Sequence, residues 1–128
     1  MKFKYTIMYV KDVGLTLSFY EQAFGLQRAY LHESGIYGEL DTGETKLAFS
    51  SLDLMASLGK NPSSGNAESP NFEIAFETDD VAGNLAQAVD AGAELVQDVT
   101  HMPWGQTIAF VRDLNGYLIE FCTAIEST

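Results

Sequence analysis

The chain has 128 residues, 46% of them apolar, and its 18 acidic against 7 basic side chains leave a net charge of −11. That size and composition suit one globular domain with a sizeable core. So acidic a surface repels phosphate, which argues against nucleic acid and anionic membranes as partners and leaves small molecules, cationic ligands and other protein surfaces.

From the N-terminus, Met1-Lys2-Phe3-Lys4 leads directly into the strand-like run Tyr5-Thr-Ile-Met-Tyr-Val-Lys-Asp-Val13, without a leader's apolar block. Val13, Leu17, Tyr20 and Phe24 then fall on one helical face, with Asp12 placed to cap the helix and Gly25 to end it. Three strands are expected near 27–33, 36–42 and 45–51, turning at Gly35 and Gly43. Residues 52–58 read as two helical turns, and 59–70 as a polar connector rich in Pro, Gly and Ser. A second strand-like run, Glu73-Ile-Ala-Phe-Glu-Thr-Asp-Asp-Val81, opens the other half. Its helix is expected to carry a stripe of Val81, Leu85, Ala88 and Val89, with Asp80 as cap and Gly92 as stop. Strands near 94–100, 105–112 and 117–123 complete it, the last turn being Asn115-Gly116.

The two halves share this order. Residues 5–13 align with 73–81 at an offset of 68, and 41–49 with 113–121 at an offset of 72. The four-residue difference fits a longer second-half loop around His101-Met-Pro-Trp-Gly105. The predicted architecture is α+β: one domain over residues 1–128, made of two βαβββ modules (3–51 and 71–124) joined by a connector (52–70). Neither half, at about 50 residues, is expected to be stable alone. No run of apolar residues exceeds four, against the ~20 a membrane helix needs. The lone cysteine, Cys122, permits no intrachain disulfide and no CxxC zinc site, so a reducing cytoplasm is the expected setting. No Walker loop, dinucleotide fingerprint, HExxH or Ser-His-Asp order is present.

The paired modules, Val10-Lys-Asp-Val13 leading into a helix with Ser18-Phe-Tyr20 and Phe24-Gly-Leu26, and the closing Phe110-Val-Arg-Asp-Leu-Asn-Gly-Tyr-Leu-Ile-Glu-Phe121 resemble the glyoxalase / bleomycin-resistance / extradiol-dioxygenase family, the vicinal-oxygen-chelate fold. Pro103-Trp104-Gly105 looks like its bleomycin-resistance branch. The resemblance implies curled mixed sheets forming a U-shaped cleft. It also implies, in metal-dependent members, a divalent ion held from the first and last strands of the modules. Carried over by motif, those positions are Tyr5, Ala48, Glu73 and Glu120. Ala48 has no donor atom and Tyr5 is a poor ligand, so no metal or other cofactor is expected; if a divalent ion is bound, Glu73, Glu120 and Tyr5 are its ligands.

Strand alternation sorts the remaining side chains. With Glu120 facing the cleft, so do Leu118 and Cys122, and by the same rule Tyr5, Ile7, Tyr9, Lys46, Ala48, Ser50, Glu73, Ala75 and Glu77. The opposite set, Met8, Val10, Leu47, Phe49, Ile74, Phe76, Ile119 and Phe121, is uniformly apolar, as a helix-covered face should be. Trp104 is expected at the cleft mouth. Such a lining suits an amphipathic or cationic small molecule bound without a catalytic metal. Glu73 and Glu120 are a solvated pair, or a pair bridged by Lys46, or, if close and dry, a proton-sharing pair able to act as a base. The alternative is a lyase, isomerase or dioxygenase of the same family with a sparse metal site. His32 and His101 are read as surface residues, and Cys122 as a small core filler. The resemblance also implies a homodimer, which would cover exposed strand edges.

Overall fold

Strand β1 (Tyr5–Val10) and strand β4 (Lys46–Ser51) run parallel, so a crossover must join them, and helix α1 (Val13–Phe24) begins it. In the computed structural model, which describes residues 1–125, β2 (Gln27–Leu31) and β3 (Tyr37–Asp41) complete a mixed sheet in the order β1-β4-β3-β2. A short helix, α2 (Leu52–Ser57), follows β4. The second half repeats the plan with β5 (Ile74–Glu77), α3 (Val81–Asp90), β6 (Glu94–His101), β7 (Thr107–Arg112) and β8 (Leu118–Cys122), in the order β5-β8-β7-β6. This is the expected α+β architecture. Two units result, the first spanning Met1–Ser64 and the second starting at Gly65, so the connector divides between them.

The strand registers carry the repeat further than the sequence does. Thr6 pairs with Leu47, and Ile74 with Ile119, the same two positions at offsets of 68 and 72. Asp12 caps α1 by accepting from the Leu15 amide at 3.0 Å, and Gly25, at φ 69°, closes it with a bond to the Glu21 carbonyl. Asp80 caps α3 through the Gly83 amide at 3.0 Å. That helix ends at Ala91, and Gly92, at φ 112°, takes the turn beyond it.

Val13, Leu17 and Tyr20 are buried against β3 and β4, where Tyr20 meets the Phe49 ring at 4.9 Å. In the second unit Val81, Leu85 and Ala88 are buried over β7 and β8. Val89 departs from its expected place and is 43% exposed. At about 100° per residue it sits roughly 80° round from Val81, at the margin of the covered stripe. Of the eight side chains expected under the helices, six are buried; Ile74 and Phe76, on the short edge strand β5, are half-buried. Among the described residues no helix is long and apolar enough to cross a membrane.

The β7–β8 turn is closed by Asp113, whose Oδ1 accepts from the amides of Asn115 at 2.9 Å and Tyr117 at 2.8 Å. Gly65 seats against it: a Cβ there would lie 2.6 Å from the Tyr117 ring. Gly38 is as tightly held in the first unit, where a Cβ would approach Leu17 Cδ1 to 2.7 Å. Gly14, by contrast, has room on an early turn of α1, its nearest atom Asp12 Oδ1 at 3.7 Å. Two alanine substitutions should therefore move stability in opposite directions. Gly38→Ala should cost about 1–3 kcal/mol by overpacking, and Gly14→Ala should add up to about 1 kcal/mol of helix propensity. Urea unfolding of each variant beside the parent measures both.

Candidate functional site: the uncovered sheet faces and a tryptophan-edged cavity

Because α1 and α3 each cover one face of a sheet, the other face is free for function. In the first unit the in-register side chains on it are Tyr5 beside Lys46, Ile7 beside Ala48 and Glu39, and Tyr9 beside Ser50 and Tyr37. Ala48 and Ser50 are buried there, while Tyr5 and Ile7 remain exposed. Lys46 Nζ lies 3.5 Å from Asp41 on the next strand. Lys60 sits over the Tyr9 ring, 5.5 Å from its centre, and donates to its hydroxyl at 3.2 Å. His32 and His101 are exposed, bonded to Ser34 and Thr107 respectively.

In the second unit the corresponding face carries Ala75, Glu77, Leu118, Glu120, Cys122, Phe110 and Arg112. Glu73 lies one residue ahead of β5 and hydrogen-bonds Glu120. Burial first, then the bond to Glu73 and the charge of Glu73, push the Glu120 carboxyl up to about 7. The two glutamates thus come together as a proton-sharing pair, able to accept a proton from a neighbouring ligand near neutral pH. Cys122 is half-buried beside them rather than a core filler. Its thiol is pushed up by burial and by Glu120, Glu77 and Glu73, so it stays protonated and is a poor nucleophile.

At the ends of β5 and β8 an open cavity of about 810 Å³ is edged by Glu77, Asp79, Trp104, Thr107 and Thr123. Trp104 is 59% exposed yet fixed. Its Nε1 donates to Gln106 Oε1 at 2.9 Å, and Gln106 Nε2 donates to the Thr123 carbonyl at 2.9 Å. Glu77 and Asp79 form no ion pair among the described residues. Arg112, the only Lys or Arg from residue 65 onward, is taken by Glu94 at 3.5 Å and Glu68 at 3.8 Å. The charge is therefore uneven. Residues 1–64 hold six of the seven basic side chains and seven acids, a net −1; residues 65–128 hold eleven acids and Arg112, a net −10.

Asp79, Thr107 and Thr123 were outside the residues expected from sequence, because they sit just beyond or at the ends of strands. Tyr37 and Glu39 could have been found by alternation along β3. Tyr30 could not, because a bulge between Arg28 and Tyr30 breaks the alternation of β2.

A profile of the Glyoxalase/Bleomycin resistance protein/Dioxygenase superfamily matches residues 2–121. The chain belongs to this superfamily. It is 28% identical over 125 residues to the uncharacterized protein YraH of Bacillus subtilis (strain 168), covering 94% of this chain and 96% of that one. A glyoxalase-related enzyme from Fulvimarina pelagi superposes with a TM-score of 0.84 at 18% identity, over 97% of this chain and 88% of its own. A glyoxalase/bleomycin resistance protein/dioxygenase family enzyme from Burkholderia phytofirmans PsJN gives 0.81 at 22% identity, over 96% and 98%. At such identities the structural likeness establishes the fold alone.

The superfamily's metal positions map to a poor donor set. Ala48 offers no donor, and Glu73 and Glu120 are bonded to each other. Among the described residues no group of three or more His, Cys, Asp or Glu side chains is arranged to hold an ion.

The glutamate pair makes stability pH-dependent in a defined direction. A carboxyl raised from about 4.5 unfolded to about 7 folded binds more protons in the folded state between those values. Its contribution is therefore full below pH 4.5 and is lost as pH rises through 7. After discounting for solvent screening, about 1 kcal/mol should disappear between pH 5.5 and 8. Glu120→Gln should flatten that part of the profile, which separates it from the two histidines. Thermal melts of both proteins across this range give the comparison.

Proposed function

We propose that this protein is a metal-free, small-molecule-binding member of the superfamily, holding a flat amphipathic or cationic ligand on the acidic face of the second unit. One observation carries the reading: an open cavity in which a fixed, exposed indole stands beside two carboxylates that form no ion pair among the described residues. An indole stacks on planar rings and attracts positive charge, and carboxylates in a strongly acidic setting steer cations inward. Glu73 and Glu120 serve as a further polar anchor, and Leu118 and Cys122 as the less polar wall between them and the cavity. The protein works as a homodimer in the cytoplasm, in keeping with the superfamily's habit of building clefts between chains.

A second reading is favoured by the raised Glu120 carboxyl: a lyase or isomerase in which Glu120 takes a proton from the ligand directly. The two readings part on the variant Glu120→Gln. A binding protein keeps most of its affinity, whereas a proton-transfer enzyme loses turnover by about a hundredfold or more.

Titration with a planar acridinium dye should quench Trp104 fluorescence, and a planar naphthalene sulfonate should not. Trp104→Ala and Glu77→Gln should each weaken dye binding about tenfold. Equal binding of both dyes would refute the cationic-ligand reading. The protein dialysed after incubation with nickel, zinc, iron and manganese should retain well under one ion per chain. Light scattering at micromolar concentration should give twice the chain mass, and a monomer there would remove the dimer.

A further inference from the structure

The uncovered face of the first unit has its own uncompensated carboxylate. Glu39, on β3, is half-buried and stands at the level where Ile7, Ala48 and Tyr30 meet it across the four strands. The Tyr37 hydroxyl donates to Glu39 Oε2 at 2.8 Å, and Oε1 has no hydrogen-bond partner among the described residues. No basic side chain pairs with it. Arg28 is held by Glu21 at 3.0 Å, Lys46 by Asp41 at 3.5 Å, and Lys60 by Tyr9. Burial, and then the bond to Glu39, raise the Tyr37 phenol above its ordinary range, so it remains a proton donor throughout the neutral region. The Tyr30 and Tyr37 rings lie 6.5 Å apart with their planes at 53°, and the Tyr5 phenol is close enough to act electrostatically on Tyr37. Tyr30 is 46% exposed and its ring is open to a ligand, whereas the Tyr5 ring already has the Lys4 ammonium over it, 5.9 Å from its centre.

We propose that Glu39, with the rings of Tyr30 and Tyr37, forms a recognition site for a methylated or quaternary ammonium group. The carboxylate supplies the opposing charge and the phenol faces supply cation–π attraction. The exposed floor beside them is Ile7, which offers no acceptor atoms; Ala48, in register with it, is fully buried. An ammonium bearing N–H groups would lose hydrogen bonds to water there, whereas a trimethylammonium has none to lose and packs its methyls on that floor. This site deepens the small-molecule-binding reading and rests on it, but it lies in the first unit and does not use Trp104.

The test is NMR of the tyrosine and tryptophan ring signals of the intact protein, titrated with choline and with its neutral isostere 3,3-dimethylbutan-1-ol. Choline should shift the Tyr30 and Tyr37 signals and bind at least about fivefold more tightly than the isostere. Glu39→Gln should reduce choline to the isostere's level, and Tyr30→Ala, at an exposed position, should weaken it several-fold. Trp104→Ala should leave it unchanged. Equal affinity for choline and the isostere would overturn the proposal. So would choline shifts confined to Trp104, an outcome that keeps the cavity in the second unit as the binding site. Tyrosine signals that change on dilution and ignore choline would also overturn it, placing a second copy of the chain on this face. Silence of every ring toward choline and the acridinium dye alike would remove both readings together.

Discussion

Each unit depends on one parallel pairing between its first strand and its last. β1 with β4, and β5 with β8, put the final strand in the interior of the sheet, flanked on both sides, and force the intervening chain to leave as a helix and return as a hairpin. Register then decides everything about the faces. With Thr6 opposite Leu47 and Ile74 opposite Ile119, the apolar set lies under the helices and Tyr5, Ala48, Glu73 and Glu120 fall toward the other side. A slip of one residue would exchange the two sets and put Glu120 beneath α3. The apolar uniformity of the covered face is thus what holds the functional face in place.

That same constraint explains which parts of the molecule could be read from the residues. Interior strands have one covered face, so Leu47 and Phe49, or Ile119 and Phe121, announce their side by being apolar at alternate positions. The capping aspartates Asp12 and Asp80 mark helix starts for an equally local reason. Edge strands lack this signature. β6 is bulged twice and leaves Leu95 and Val96 at 51% and 41% exposure, adjacent residues that alternation would have assigned to opposite faces. The Tyr30 ring escaped for the same reason. Pairings between charged side chains were out of reach as well. Lys46 could have met Asp41 or a glutamate, and only the β3–β4 geometry brings Asp41 to it. The family resemblance places Glu73 and Glu120 at strand positions of one module, but alternation leaves open whether they form a solvated pair, a Lys46-bridged pair or a dry one.

The two modules have kept a backbone and parted in charge. The position that holds Glu120 in the second unit is Ala48 in the first, while the first has its carboxylate one strand over, at Glu39, opposite Ala48. Near the equivalent place on β7 the second unit has Phe110, paired with Glu120. Each face therefore combines one partly buried carboxylate with an apolar neighbour on the adjacent strand, in opposite order. Each face pairs aromatic rings with carboxylates, the combination on which the proposed recognition of organic cations rests.

A partly buried carboxylate has only a few ways to be tolerated: a basic partner, a proton, hydrogen-bond donors or a ligand. The first is nearly exhausted in the second unit, where Arg112 is already shared between Glu68 and Glu94. Glu120 takes the second course and holds its proton to about pH 7. Glu39 takes part of the third, with one oxygen satisfied by Tyr37 and the other open. A cation arriving at Glu120 must displace a proton, so its affinity falls as pH drops below 7, whereas Glu39 keeps one oxygen open to a ligand. The difference follows from what each glutamate has for a neighbour, a second acid in one case and a phenol in the other. One fold, repeated, thus presents two acidic faces that accommodate a partly buried carboxylate by different means.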